Sequence, residues 1–230
     1  MCDAAATMGH APPNWQQYAV ELWPVDVILR RRAQDIVTKS KLLDALPARG
    51  SFVDIGAGTC HLSEALLACR PGLSCLAIDT AWYPARRTGR RLAATAGDRF
   101  RHVVADGSAL PLADGAMDAA LIAFVLHHLV PADQLAVLRE ARRVLRPGGR
   151  LILLEDTPDG GRETARTVVA DRRLNRESAS SPHHYRTACQ WVALLAGLGL
   201  RVERQVAIWR IFPPATIGAI PHHAFIFKPI

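Results

Sequence analysis

The stretch VDIGAGT at residues 53–59 decides the fold of this chain, because it joins an apolar run to a glycine turn. The run SFVDI (51–55) is short, apolar and bounded by glycine, which predicts a buried strand. Gly56 and Gly58 follow it, and glycine permits positive φ and a close approach of the backbone to a ligand. The stretch therefore predicts a strand–turn–helix unit whose turn meets a nucleotide-like ligand.

Strands and helices alternate along the chain around this turn, which predicts a parallel sheet with helices on both faces. The predicted strands cover residues 51–55, 74–79, 100–106, 117–126, 150–156, 201–210 and 222–229. The predicted helices cover 61–69, 83–96, 132–145, 163–177 and 187–199. Uniformly apolar strands agree with burial on both sides. The last two strands are joined by a proline-rich loop, which predicts that the otherwise parallel sheet ends in antiparallel pairing.

The length of 230 residues fits a single domain, residues 1–230, with a sizeable core. Three parts are expected within it. An N-terminal helical arm covers 14–46, a ligand-binding core covers 50–156, and a substrate-side segment with the closing strands covers 157–230.

The chain is basic, with a formal net charge of +7, yet its charge pattern argues against a nucleic-acid partner. Its arginine pairs are spread along the whole sequence, whereas a nucleic-acid enzyme more often gathers basic residues on one segment or face. The five cysteines form no C-x-x-C pair, which suits a reducing compartment. The N-terminus resembles no secretion signal, and no apolar run approaches the roughly 18 residues of a membrane span. We therefore expect a cytoplasmic protein without a membrane partner.

Acidic residues near the ends of three successive predicted strands narrow the choice of ligand. A dinucleotide-binding turn has a third glycine where this chain has His61, and Asp54 stands two residues before the first glycine. A carboxylate there would repel a pyrophosphate but could accept hydrogen bonds from a cationic amino-acid group. Asp79 ends the second strand, where an acid can accept both hydroxyls of a ribose, and Asp106 ends the third, near an adenine amino group. The alternative is that each acid caps a helix or a turn. The three together favour a ligand with a sugar and an amino-acid tail but no phosphate.

Four motifs in order carry a resemblance to a known family: VDIGAGTCHLSEAL, LAIDTA, ADGSALPLADGAMDAALIAFVLHHL and REARRVLRPGGRLILLED. Over roughly residues 45–156 the chain resembles the class I S-adenosylmethionine-dependent methyltransferases, in the branch of the ubiquinone-biosynthesis enzymes. The resemblance implies a Rossmann-like, doubly wound α/β fold with a seven-stranded sheet, mostly parallel with an antiparallel last strand. It also implies S-adenosyl-L-methionine as the cofactor. Cys60 departs from the family, where many relatives have a further glycine.

The resemblance assigns cofactor-binding roles residue by residue. It places the methionine moiety at the glycine turn, the ribose at the end of the second strand, the adenine after the third, and the methyl end after the fourth. The implied set is Asp54, Gly56, Ala57, Gly58, Asp79, Thr80, Asp106, Gly107 and Phe124. Trp82 and Tyr83 are expected either to lie against the adenine or to pack under a helix. Trp15, Tyr18 and Trp23 either cover the site as a lid or pack within the helical arm.

The acceptor of the methyl group is expected to be a small molecule, and oxygen is favoured only because it is a common acceptor atom. An oxygen nucleophile needs a base nearby, and the candidates for catalysis are His127, His184 and Tyr185. Glu155 and Asp156 end the fifth strand near them. The alternative for each candidate is a packing or loop role. Two other functions stay open: a nucleic-acid or protein methyltransferase, and a cofactor-binding protein without methyl transfer. Against the first, the chain has AFVLHHL after the fourth strand, where enzymes that act on base amino groups have a [D/N]-P-P-[Y/F] motif.

Three His-His pairs, 127/128, 183/184 and 222/223, raise the question of a metal. Adjacent residues of a strand point to opposite faces, so a pair on a strand offers one ligand only. The sequence has no H-x-x-x-H motif and no nearby cysteine pair. It therefore predicts that the protein holds no metal.

Overall fold

Seven strands form one sheet in a computed structural model that describes residues 23–81, 86–175, 183–212 and 218–230. They are β1 (Arg49–Ile55), β2 (Gly72–Asp79), β3 (Phe100–Val104), β4 (Met117–Ala123), β5 (Leu145–Asp156), β6 (Leu200–Phe212) and β7 (Gly218–Pro229). Their order across the sheet is β3-β2-β1-β4-β5-β7-β6. Only β7 runs antiparallel to its neighbours β5 and β6. The predicted Rossmann-like α/β fold, mostly parallel with an antiparallel last strand, is confirmed.

Six α-helices accompany these strands in the described part of the chain. They are α1 (Trp23–Ser40), α2 (His61–Cys69), α3 (Arg86–Ala96), α4 (Pro131–Arg143), α5 (Gly161–Asn175) and α6 (Ala188–Ala196). Short 3₁₀ turns cover Leu42–Ala45, Gly97–Arg99 and Leu126–His128. None of the helices in the described ranges is long and apolar enough to cross a membrane.

Local sequence explains where several of these helices begin and end. Pro131 opens α4, where its missing N–H costs no hydrogen bond. The Thr187 hydroxyl accepts from the Gln190 backbone N–H, and the Gln190 side chain accepts from the Thr187 N–H, so this reciprocal cap starts α6. Lys41 adopts φ +54° directly after α1, which ends the helix there.

The side chains of β1 divide the core into two layers. Phe52 faces a layer that α1, α2 and α3 cover, with Leu66 and Leu92 among its buried members. Val53 and Ile55 face the other layer, which α4 and α6 cover. Because alternate residues of a strand share a face, Asp54 lies on the side of Phe52, beneath α2. The sheet order reverses between β1 and β4, and in such sheets the crevice for a ligand opens beyond the carboxyl ends of these strands.

Several predicted boundaries were wrong. Among the strands, the largest errors are at two strand starts, since the fifth was predicted from residue 150 but begins at Leu145 and the last was predicted from 222 but begins at Gly218. The third strand was predicted to reach residue 106 but ends at Val104, and the fourth was predicted to reach 126 but ends at Ala123. Phe124 takes φ +58°, which turns the chain out of the sheet. The predicted helix 14–46 ends at Ser40, and its residues 14–22 lie outside the described ranges, as do residues 176 and 177 of the helix predicted at 163–177.

Candidate active site

The glycine turn after β1 is tied to the end of β2 by its backbone. The N–H groups of Gly56 and Ala57 both donate to the Ile78 carbonyl, at 2.8 and 3.0 Å. The Gly58 N–H donates to Oδ2 of Asp79 at 2.8 Å. The turn is therefore ordered by a carboxylate that comes from the neighbouring strand.

The two glycines of the turn both have positive φ, but they differ in what surrounds them. A Cβ on Gly56, at φ +72°, would lie 2.5 Å from Cγ2 of Val125, so this glycine is required by packing. A Cβ on Gly58, at φ +48°, would meet no described atom within 4 Å. The space beside Gly58 is therefore open.

Asp79 and Asp106 both have defined backbone partners. Oδ1 of Asp79 accepts from the Ala81 N–H at 3.2 Å and lies 3.5 Å from the Thr80 hydroxyl. Asp106 is exposed, and its Oδ1 accepts from the N–H and the hydroxyl of Ser108, both at 2.8 Å. These hydrogen bonds lower the pKa of Asp106. Gly107, next to it, packs so closely on Ile55 that a Cβ would lie 2.9 Å from the Ile55 Cγ2.

Asp54 lies beneath the turn and not on its surface. Its side chain is buried, and Oδ2 accepts from the hydroxyl of Ser63 on α2. Burial raises the pKa of Asp54 to about 7; the Ser63 hydrogen bond opposes this shift and the nearby charge of Asp79 adds to it. The buried carboxyl thus links the strand before the turn to Ser63 on the helix after it.

His61, which replaces the third glycine of a dinucleotide turn, belongs to a buried polar group that joins three helices. Its Nε2 lies 3.0 Å from Oδ1 of Asp26 on α1. Arg91 on α3 donates to Asp26 at 3.0 and 3.2 Å and forms two hydrogen bonds with Glu64 on α2, at 2.8 and 2.9 Å. Burial lowers the pKa of His61 despite its acidic neighbour. The side chain of His61 therefore serves helix packing, and sequence reasoning missed its partners.

His127 lies at the centre of a second buried polar group, in the 3₁₀ turn after β4. Its Nδ1 lies 2.6 Å from Oε2 of Glu155, whose Oε1 accepts from the N–H groups of Val125 and Leu126 at 3.0 and 2.7 Å. Burial alone would lower the pKa of His127, but the carboxylates of Glu155 and Asp171 raise it well above its ordinary value. Glu155 thus orients both the turn and the imidazole.

Three histidines converge on one carboxylate beside this turn. The Nε2 atoms of His127, His128 and His183 lie 3.4, 3.6 and 3.1 Å from Oδ2 of Asp171 on α5. Burial and the charge of His127 lower the pKa of His128 to about 4. Because residues 127 and 128 lie in a 3₁₀ turn, both rings reach the same carboxylate, and the assumption that each pair lies on a strand was wrong for them.

The other two catalytic candidates flank this group. The Tyr185 ring stacks on His127, with centroids 5.0 Å apart and an interplanar angle of 18°. His184 donates its backbone N–H to the His127 carbonyl at 2.7 Å, while its side chain is exposed. Gln134 on α4 fixes the same segment, because its Nε2 donates to the carbonyls of Leu126 and His184.

Phe124 lies between the turn and the last strand. Its N–H donates to the Leu154 carbonyl at 2.8 Å, and its ring meets the His222 ring edge-on, with centroids 5.3 Å apart. His222 pairs with Asp156 through Nδ1, and Nδ1 of His223 lies 2.6 Å from the Thr157 hydroxyl. This third pair does lie on a strand, as the sequence reasoning assumed.

Residues 53–153 match a protein family described as a methyltransferase domain. The demethylmenaquinone methyltransferase of Thermus thermophilus is 39% identical over 133 residues, which are 58% of this chain and 56% of that protein. The malonyl-[acyl-carrier protein] O-methyltransferase of Methylococcus capsulatus is 35% identical over 132 residues, 55% of this chain and 44% of that protein. The chain thus spans about half the length of these curated relatives. Over residues 53–153 the chain is therefore similar to S-adenosylmethionine-dependent methyltransferases of the ubiquinone- and menaquinone-biosynthesis type.

Solved structures confirm the fold of the chain. The 1,6-didemethyltoxoflavin-N1-methyltransferase of Burkholderia thailandensis, solved with 1,6-didemethyltoxoflavin and S-adenosylhomocysteine, superposes with a TM-score of 0.68 at 20% identity, covering 94% of this chain and 85% of that chain. A S-adenosylmethionine-dependent methyltransferase of Methanosarcina mazei superposes with a TM-score of 0.66 at 20% identity, covering 83% and 97%.

S-adenosylmethionine is the cofactor of proteins with this methyltransferase domain, and the described residues fit it. A Cβ on Gly58 would meet open space, and the Gly58 N–H is held by the carboxylate of Asp79, which suits a ligand with a sugar and an amino-acid tail. Trp15, Tyr18, Trp82 and Tyr83 lie outside the described ranges, and Trp23 opens α1. Sequence reasoning missed Asp26, Gln134 and Asp171, because each lies within a helix without a motif that marks it.

Proposed function

We propose that this methyltransferase transfers the methyl group of S-adenosylmethionine to a small-molecule acceptor in the crevice beyond the carboxyl ends of β1 and β4. The observation that carries the proposal is the open glycine turn, held by Asp79 at the point where the strand order reverses. Methyl transfer from a sulfonium is an in-line displacement, so the protein has to hold the donor and the nucleophile in line and exclude water.

On the cofactor side, we propose that the backbone of Gly56, Ala57 and Gly58 receives the methionine moiety. Asp54 supports this turn through Ser63, since its carboxyl is buried beneath it. The carboxylate of Asp79, with Thr80 next to it, is proposed to accept the ribose hydroxyls. Asp106 and Gly107 are proposed to border the adenine, and Phe124 the methyl group.

On the acceptor side, we propose a hydroxylated aromatic ring as the substrate class. The relatives support this choice, since the sequence match includes a demethylmenaquinone methyltransferase and a ubiquinone/menaquinone biosynthesis C-methyltransferase of Hahella chejuensis, 49% identical over 59 residues. Loss of the hydroxyl proton makes both the oxygen and the adjacent ring carbon nucleophilic. The same substrate class therefore accommodates the oxygen expected from the sequence and the carbon named for that relative.

We propose different roles for the three catalytic candidates, according to their exposure. His184 is exposed, and Tyr185 is half-buried, so these two side chains are proposed to contact the acceptor. His127 is fully buried and stacks on Tyr185, so it is proposed as a positioning residue that holds the Tyr185 ring.

A transfer assay with methyl-labelled S-adenosylmethionine tests the proposal. The acceptors are a set of hydroquinones and phenols, compared with a malonyl thioester, total RNA and a protein mixture. We expect label in the hydroxylated rings, and NMR of the product shows whether oxygen or carbon carries it. His184→Ala should slow transfer without weakening cofactor binding. Cys189→Ala, which alters an exposed side chain on α6, should leave the transfer rate and the cofactor affinity unchanged. Cofactor binding without transfer to any acceptor would instead indicate a protein that binds the cofactor only.

A further inference from the structure

The imidazole cluster consists of His127, His128, His183 and Asp171, and it joins three separate segments of the chain. Two histidines come from the 3₁₀ turn after β4, the aspartate from α5, and the third histidine from the segment before α6. One ligand atom each from His127, His128 and Asp171 lies within 4.8 Å of the other two. Nothing in the proposed methyl transfer requires three imidazoles around one carboxylate oxygen.

The spacing of the cluster matches the coordination sphere of a metal ion. In a tetrahedral site with bonds of about 2.0–2.1 Å, neighbouring ligand atoms lie about 3.3 Å apart. The three Nε2 atoms lie 3.4, 3.6 and 3.1 Å from Oδ2 of Asp171. Charge-assisted hydrogen bonds between nitrogen and oxygen are shorter, at about 2.7–2.9 Å. The distances from His127 and His128 to Asp171 therefore fit atoms that share a central ion, whereas the 3.1 Å contact of His183 is a hydrogen bond to the same carboxylate.

The orientation of His127 supports the same reading. Its Nδ1 lies 2.6 Å from Oε2 of Glu155, and Glu155 is fully buried with backbone N–H groups on its other oxygen. Metal-binding histidines commonly donate one ring N–H to a carboxylate, which turns the lone pair of the other nitrogen toward the ion. Here that other nitrogen is Nε2, and it faces Asp171.

We propose that the imidazole cluster binds one divalent transition-metal ion, with Nε2 of His127 and His128 and Oδ2 of Asp171 as its protein ligands and the fourth position of the ion open to solvent. His183 holds Asp171 by a hydrogen bond. Imidazole and carboxylate donors together suit Zn²⁺ or Co²⁺, whereas Mg²⁺ and Ca²⁺ take oxygen ligands. The side chain of His128 is 25% exposed, which gives the ion a path from solvent. The ion would fasten α5 and the segment carrying His184 and Tyr185 to the turn after β4.

Metal titration of the chain tests this site independently of methyl transfer. Protein stripped with chelator is titrated with Zn²⁺ against a competing chromophoric chelator, and with Co²⁺ while the visible absorption is recorded. We expect one high-affinity equivalent of Zn²⁺ and the intense visible bands of four-coordinate Co²⁺. Asp171→Asn and His128→Ala should each weaken Zn²⁺ binding at least 100-fold. Glu155→Gln and His183→Ala, which remove groups that orient the ligands His127 and Asp171, should weaken it about 10–100-fold.

His102→Ala is the matched control, because it removes a histidine on β3, outside the cluster, and should leave the affinity unchanged. Circular dichroism and S-adenosylhomocysteine binding establish that each variant is folded. Wild-type protein that binds no Zn²⁺ above the level of unfolded protein would overturn the proposal. So would Asp171→Asn or His128→Ala protein with undiminished affinity, or Co²⁺ spectra typical of six-coordinate ions. In each of these cases hydrogen bonds, and not a metal ion, hold the cluster together.

Discussion

At Asp79 a single carboxylate orders the glycine turn and lies where the ribose is proposed to bind. It accepts from the N–H groups of Gly58 and Ala81. Asp79→Asn removes the charge and keeps the shape, and a hydrogen bond to a charged group contributes about 1.5–3 kcal/mol. We expect calorimetry to show S-adenosylmethionine binding at least tenfold weaker. Asp98→Asn, an exposed acid in the turn before β3, should bind as the wild type does; equal affinity in both variants would refute the role of Asp79.

The two glycines of the turn offer a sharper comparison. Gly56→Ala places a methyl group 2.5 Å from Val125 and should destabilise the fold by about 2–4 kcal/mol, as overpacking with backbone strain does. Gly58→Ala places it in open space and should cost only the left-handed strain of about 1–2 kcal/mol. Cofactor binding should nevertheless be lost in Gly58→Ala, because the methyl group enters the proposed methionine site. Urea denaturation and calorimetry measure the two effects separately, and Gly58→Ala protein with normal affinity would place the cofactor elsewhere.

Asp54 gives the stability of the protein a specific pH dependence. Burial raises its pKa to about 7 in the folded state, whereas the unfolded carboxyl releases its proton near 3.9. Between these values the folded state holds one more proton, so rising pH lowers stability, by up to about 1.4 kcal/mol per unit from this group. The free energy of unfolding of Asp54→Asn, measured by urea denaturation, should therefore rise relative to that of the wild type between about pH 5 and pH 7. Above pH 7 the difference between the two proteins should stay constant. Profiles that run parallel to the wild type throughout would contradict the shift.

The sequence predicted the glycine turn and its acidic neighbour better than the arrangement around His127, for a physical reason. The turn at 56–58 and the acid at the end of β2 are local features, and each leaves a pattern in a few consecutive residues. Asp171 and Gln134 act across more than ten residues of separation, from helix positions that look like any polar helical residue. The exposure of His184 and the burial of His127 depend on how three segments pack, which no short pattern encodes.

Among the helices, the ion-pair group of Asp26, Arg91 and Glu64 joins α1, α2 and α3. Asp26 is buried at 5% exposure, so removing its charge leaves Arg91 and His61 without a carboxylate between them. We expect Asp26→Asn to lower the free energy of unfolding by about 2–4 kcal/mol, below the upper end for a buried pair because Arg91 is one-quarter exposed.

Asp35→Asn is the matched control on the same helix. Asp35 pairs with Lys39 on a face where both side chains are more than half exposed, and such pairs contribute at most about 0.5 kcal/mol. Urea denaturation of the two variants measures the difference. Equal losses in both would mean that the buried group does not hold the helices together.

Sequence periodicity also predicted the junction after β4 wrongly. The apolar run continues past Ala123 through Phe124, Val125 and Leu126, so hydrophobicity predicts a strand to 126. Glu155 accepts from the N–H groups of Val125 and Leu126 and so replaces the strand ladder with a turn. A buried acid from the neighbouring strand decides the boundary, and only the tertiary structure brings it there.

Across the whole molecule, β7 joins the edge strand β6 to the rest of the sheet. Phe227 is fully buried and lies opposite Leu151 of β5 on one side and Val202 of β6 on the other. Phe227→Ala should lower the free energy of unfolding by about 3–5 kcal/mol. Ile230→Ala, three residues further and 84% exposed, should change it by less than about 0.5 kcal/mol. Thermal unfolding should show one transition in both variants; a separate early transition in Phe227→Ala would mean that β6 and β7 unfold as an independent unit.

The alternation of strands and helices predicted the class of the fold and the antiparallel last strand correctly. It did not predict that this strand lies between β5 and β6, because strand order is a property of pairing partners and both neighbours have similar apolar patterns. Register is likewise set by contacts such as Asp54 opposite Ala77 and Leu121, which join residues far apart in the chain.

The placement of β7 also orders events during synthesis on the ribosome. Strands β1 to β5 can pair with one another as they emerge, but β6 emerges next and has no pairing partner in the sheet until residues 218–229 follow it. Until then β5 presents an open edge, to which the β5 edge of another nascent chain could add. Slow translation after β6 would lengthen this interval and favour aggregation, whereas rapid completion of β7 closes the sheet.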